Sequence, residues 1–144
     1  TGERRIAAVD FVYNRPRPSD DAVPAALATH LGVPAYAMPL VHTGGNYMAA
    51  GRGTSASTDL VWEENGGDEP LVRERMRAYV GVAPYIVTPD PQQSYLEHID
   101  TWGKFLAPDL VLIARVPPAH PRHADHEAVA AHYAAQTSAY GTPY

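Results

Sequence analysis

"HIDTWGKFLAPDLVLI", residues 98–113, decides the fold. Read as a strand, it sends His98 and Asp100 to the same face and turns Ile99 to the other. "APD" (107–109) makes a turn, and "LVLIARV" carries on as a second strand. The stretch is therefore a β-hairpin with a polar pair in its first strand. The design has a precedent in "GGNYMAAGRGTSASTDLVW" (44–62), a hairpin turning at Gly51-Arg52-Gly53. Asp59-Leu60-Val61 closes the first hairpin and Asp109-Leu110-Val111 the second, 50 residues on, with a helix after each. Asn46 and the His98/Asp100 pair fall in the first strands of the two hairpins. The chain reads as two copies of a strand–strand–helix–strand unit of roughly 50 to 55 residues, a period that suggests modules set in a ring. Two units are few for a closed ring, so the chain reads as part of a larger α/β domain.

The flanking elements fit this frame. Arg5 to Tyr13 is apolar and strand-like, and "NRPRPSDD" (14–21) is an extended, proline-stiffened segment. A helix from about Asp21 to Leu31 is capped by Ser19 or Asp20 and ended by Gly32. "VPAYAMPL" (33–40) is a further strand. The pattern predicts a helix over 69–80, with Asp68 as cap, Pro70 in the first turn and Gly81 at the end. Val72, Met76, Tyr79 and Val80 make its apolar stripe. "PYIV" (84–87) is a short strand. A last helix runs from about Asp125 to Ala139 with Val129, Tyr133 and Tyr140 on one face, and leaves "YGTPY" (140–144) free.

Composition narrows the function classes. A chain of 144 residues with 45% hydrophobic content can bury one real core. Its net charge is −5 with no basic run, which argues against a nucleic-acid partner. No apolar run reaches membrane-spanning length, and "TGERRIAAVD" does not read as a signal peptide. There is no cysteine, so this chain offers no disulfide, thiolate metal site or thiol nucleophile.

Four collinear stretches resemble the bacterial-type peptidylarginine deiminase/agmatine deiminase family of the guanidine-modifying pentein superfamily. They are "VDFVYNRPRPSDD" (9–21), "GGNYMAAGRGTSASTDLVWEEN" (44–65), "HIDTWGKFLAPDLVLI" (98–113) and "SAYGTPY" (138–144). "NRPRP" and "DTWGKFL" bring the chain closer to the peptidylarginine branch. The resemblance implies a pentein fold, a five-bladed α/β propeller of ββαβ modules, of which about two and a half are present. It also implies that residues 1–144 are the middle of a deiminase domain over twice as long. The family's second guanidinium-binding aspartate and its nucleophilic cysteine would then lie in segments before and after this one.

The implied reaction hydrolyses a guanidinium to a urea group and ammonia. A planar cation with forked N–H donors is read bidentately by carboxylates. By resemblance, His98 matches the family's general acid and base and Asp100 one of its guanidinium-holding aspartates. A neighbouring carboxylate would favour the protonated imidazole, which suits an acid. A plain strand-end hydrogen bond is the competing reading of that pair. Asn46 matches the "GGN" motif, and Gly45 beside it lets the backbone approach a ligand closely. The competing reading is a bulge at a hairpin start. Arg15 and Arg17 flank Pro16 and could clamp a substrate carboxylate; otherwise they are an ion-paired loop. Tyr95 offers a face for a cation at the rim, whereas Trp102 reads as core.

The implied substrate is peptidyl-arginine, free arginine or agmatine, the last linking to putrescine formation, and no cofactor is required. Partners would be the remaining segments of the same domain or a second copy of the chain. An exported location is favoured over the cytoplasm, because peptidylarginine-type relatives are often exported. Two readings of other classes stand beside this one. The fold could serve as an inactive binding module. Alternatively, His120, His123, His126 and His132 could bind a metal for hydrolysis, His123 and His126 being spaced to ligate from a helix.

Overall fold

The computed structural model of the chain describes residues 6–144. Arg5 lies outside them, and strand β1 runs Ala8–Val12. It pairs in parallel with β2, Ala35–Val41, Ala8 standing opposite Ala35. The crossover between them holds two helices where one was expected, α1 (Pro18–Asp21) and α2 (Val23–Leu31). Pro24 has no amide proton to continue α1, so it sits in the first turn of α2. Gly32 ends α2 at φ 64°, in the left-handed region.

One complete ββαβ module follows. Strands β3 (Met48–Gly51) and β4 (Thr54–Thr58) form the expected hairpin. Its tip needs positive φ at three successive residues, including 53° at Arg52, which explains the glycine on either side. After a short helix α3 (Leu60–Glu63), helix α4 occupies Glu69–Val80 as the pattern predicts. The Asp68 carboxylate accepts from the Leu71 amide at 3.0 Å. Strand β5 (Tyr85–Thr88) returns parallel to β4. A third module contributes the hairpin β6 (Gly103–Ala107) and β7 (Leu110–Ile113), then helix α5 (His123–Ala134). With the β–α–β end of a preceding module, this amounts to about two and a half modules.

Two apolar clusters hold the modules. Met38, Leu40, Val61, Val72 and Met76 join β2 to α4. Met48, Ile86, Ile99, Trp102, Phe105, Val129 and Tyr133 join the second module to the third. Burial at this scale contributes about 25 cal/mol per Å² of apolar surface.

Three expectations are corrected. First, Ile99–Thr101 is a 3-10 turn and not strand; the strand begins only at Gly103. Asn46 likewise ends a 3-10 turn, Gly44–Asn46, ahead of β3. Second, the Asp-Leu-Val matches are not equivalent. Asp59 caps α3, whereas Asp109 lies in the turn between β6 and β7. The true correspondence aligns the two 3-10 turns, 55 residues apart, so that Thr43 corresponds to His98 and Gly45 to Asp100. Third, α5 stops before the expected Ala139, and Tyr140 leaves its face. The C-terminal residues fold back through a bridge between Thr137 and Pro143. Tyr144 packs on Phe105 with ring centres 5.4 Å apart, and the Arg52 guanidinium lies 5.1 Å over the Tyr140 ring. Among the described residues no helix is long and apolar enough to cross a membrane.

Candidate active site

The two 3-10 turns meet, and the side chain of Asn46 fastens them. Asn46 is fully buried. Its carbonyl oxygen accepts from the Thr58 amide at 2.9 Å and from the Ile99 amide at 3.4 Å. Two backbone donors fix which end of the amide is oxygen, since Nδ2 could not face them. The Thr58 hydroxyl has one proton, and the Glu97 carbonyl lies 2.5 Å from it. Thr58 of β4 thus holds the chain before His98, at Glu97, and Asn46 holds it after, at Ile99. Glu97 takes φ 53°, a left-handed conformation uncommon outside glycine, and so turns its carbonyl into that grip.

His98 and Asp100 converge on Gly45, although not through strand alternation. A Cβ built on Gly45 overlaps His98 Nδ1 and presses on Asp100 Oδ2 at 3.1 Å. Gly44 has open space at the same test. Gly45 is therefore the glycine that makes room for the pair. On the far side of the ring, His98 Nε2 lies 3.0 Å from the Thr43 hydroxyl.

A second histidine stands behind this one. His42 is buried, and its Nδ1 accepts from the Thr43 amide at 3.0 Å. Nε2 then carries the proton and faces Tyr85 Oη at 3.1 Å and Ser57 Oγ at 3.2 Å. Burial lowers its pKa from 6.5 to about 4, so it is neutral at pH 7. Burial likewise pushes the Tyr85 phenol above its ordinary value.

The rim is acidic. Desolvation, reinforced by Glu63, Asp59, Asp90 and Glu64, raises the Glu97 carboxyl pKa. Asp59 is raised too, by burial and then by Glu63 and Asp90. Such a cluster favours a cationic visitor.

The remaining candidates fall differently. Arg15 ion-pairs with Glu64 and also reaches Asn14. Arg17 is exposed and only loosely paired to Asp20, at 3.9 Å. The two do not form a clamp, because each has its own acidic partner. Tyr95 is 94% exposed and lines an open cleft with Arg15, Leu60, Glu64 and Leu96. Trp102 is core, as expected. The histidine-rich segment is spent on structure. His123 Nδ1 faces the Val116 carbonyl at 3.1 Å and His126 Nδ1 the Ala114 carbonyl at 2.8 Å. Among the described residues no group of three or more His, Asp or Glu could hold a metal ion. Sequence reasoning missed Thr43, His42 and Thr58. The signal for Thr43 was its place one residue before "GGN", where the second module has His98.

Residues 4–144 match the sequence family described as Porphyromonas-type peptidyl-arginine deiminase. The chain belongs to that family. A solved structure described provisionally as an agmatine deiminase superposes with TM-score 0.82 at 20% identity, over 95% of this chain and 43% of the other. A provisional arginine deiminase from Porphyromonas gingivalis gives 0.78 at 20%, over 97% and 47%. The agmatine deiminase of Enterococcus faecalis gives 0.77 at 19%, over 94% and 42%. At these identities the likeness shows the fold, which is the pentein fold of these deiminases. The chain spans less than half the length of each solved structure.

Two outcomes are predicted. Gly45→Ala displaces the His98 ring and destabilises the fold by about 1–3 kcal/mol, whereas Gly44→Ala stays within about 0.5 kcal/mol. Chemical denaturation and the His98 resonances check the pair; equal effects would contradict the packing described. The second concerns pH. The folded His42 pKa lies below the unfolded value, so the unfolded chain takes up the proton first as pH falls. Its stabilising contribution is complete above pH 6.5 and is lost toward pH 4, on the order of 3 kcal/mol. His42→Gln should flatten that slope in unfolding titrations.

Proposed function

We propose that this chain carries half of a guanidine deiminase site: His98 moves protons and Asp100 holds the guanidinium. The observation that supports this most is the convergence of His98 Nδ1 and Asp100 Oδ2 on the side-chain-free Cα of Gly45. An imidazole nitrogen and a carboxylate oxygen that approach the same point can serve adjacent atoms of one planar cation. The acidic rim formed by Asp59, Glu63, Asp90 and Glu97 suits that cation. Asn46 serves from beneath, as the fastener of the pair and not as a ligand contact.

In the reaction as the family's chemistry implies it, a thiolate attacks the guanidinium carbon. His98 then protonates the departing nitrogen as ammonia and later activates water. No thiol is present here, so the nucleophile comes from another segment, and the chain acts as part of a larger deiminase domain. Exposed Leu27, Leu31 and Tyr36 and, on the last hairpin, Leu106, Leu110 and Leu112 suit a covering partner, either further modules or a second copy. Tyr95 offers an exposed ring that would cover a guanidinium from the rim. Arg15 lines the same cleft and would read a carboxylate by exchanging it for Glu64. That favours an arginine with a free carboxylate, as at a peptide C-terminus, over agmatine. Alone, with no cysteine, the chain should bind without turnover, which is the binding-module reading.

The test is a titration with arginine, agmatine and a peptide ending in arginine, followed at His98 and Asp100 by NMR. All three should shift both residues, and no ammonia should be released. Asp100→Asn should weaken binding about 10- to 100-fold through loss of a charged hydrogen-bond acceptor. Binding that ignores Asp100→Asn sinks the proposal.

A further inference from the structure

We infer that Thr43 is the positioning residue of His98: its hydroxyl engages Nε2 and so commits Nδ1 to exchange protons beside Gly45. This deepens the proton-transfer reading of His98 and rests on it. Four observations carry the inference.

First, the contact is direct, 3.0 Å from Oγ1 to Nε2. Second, Thr43 is 3% exposed, so no bulk water competes for it. Third, Oγ1 has no other hydrogen-bond partner among the described residues, and the hydroxyl is committed to His98. Fourth, the opposite ring nitrogen is the one that a Gly45 side chain would meet, together with Asp100 Oδ2. One nitrogen is therefore tied to Thr43, and the other lies against the Cα of Gly45 beside Asp100 Oδ2.

Thr43 is itself held in place. It caps the first 3-10 turn in extended conformation, as His98 caps the second. Its amide donates to Nδ1 of His42. One residue thus addresses two histidines, His42 by its backbone and His98 by its side chain.

The choice of hydroxyl has a chemical consequence. A base is usually oriented by a third group that accepts its distal N–H. A carboxylate in that role would also favour the imidazolium. A threonine hydroxyl orients the ring without adding charge. It accepts from Nε2–H in the Nε2–H tautomer and in the imidazolium. The proton gained or lost is then the one on Nδ1.

The experiment is NMR of the chain with nitrogen-labelled histidine, using arginine as the added probe. In the unsubstituted chain the neutral His98 should be the Nε2–H tautomer, with that proton protected from solvent exchange. Arginine should move the Nδ1 resonance and leave Nε2–H protected. Thr43→Val keeps the shape and removes the hydroxyl; it should speed Nε2–H exchange about tenfold, the worth of one hydrogen bond. Thr43→Ser should restore protection. The His42 resonances report folding in every variant. A neutral His98 with its proton on Nδ1 overturns the inference, as does protection that survives Thr43→Val. The unsubstituted chain decides the first point even if the valine variant does not fold. If arginine moves neither nitrogen while Nε2–H is protected and Thr43-dependent, the functional reading fails and the positioning of His98 stands.

Discussion

The carbonyl oxygen of Asn46 is the constraint on which the arrangement depends. It belongs to the turn that opens one module and takes the amide of Ile99 from the turn that opens the next. Both Asn46 and Ile99 are fully buried. Without that oxygen, the amides of Thr58 and Ile99 would be left in an apolar interior. Each such orphan costs about 1–3 kcal/mol. Asn46 therefore does not need to touch a ligand to matter. It sets the distance between Gly45 on one turn and His98 and Asp100 on the other.

The contact also explains how two weak local structures make one firm site. A single 3-10 turn has poor hydrogen-bond geometry and little stability of its own. Here the turns brace each other through Asn46 and through Thr43 with His98. Ile99 and Trp102 drive the second turn into the core shared by β3, β5 and α5. The polar side chains at positions 98 and 100 are left facing the rim. Burial of one residue and exposure of its neighbours thus orient the chemistry.

Much of this was legible in the sequence. Helix α4 was fixed by Asp68, Pro70 and Gly81, local signals that need no tertiary context. The β3–β4 turn was fixed by Gly51 and Gly53. His98 and Asp100 do approach one point, at Gly45, but not by the route read from the sequence. Period-two alternation was read through a segment that tertiary contacts fold into a turn. The Asp-Leu-Val repeat misled because a three-residue identity ignores where the hairpin turns fall. Arg15 could not be placed from sequence, since its partner Glu64 is brought to it by the fold, whereas Arg17 has only the local partner Asp20 three residues on. Thr43 carries no periodic signal, and its place before "GGN" acquires meaning only through its hydroxyl's contact with a histidine 55 residues on.

The family membership and the pentein fold rest on the matched profile and on the superposed structures. What the chain's own residues add is a physical account of why the His98 turn stays where it is. The most direct test is backbone amide exchange in Asn46→Ala. The account predicts that Ile99, Thr101 and Trp102 lose protection together while the amides of α4 keep theirs. Protection of Ile99 through Trp102 that is unchanged in that variant would contradict it.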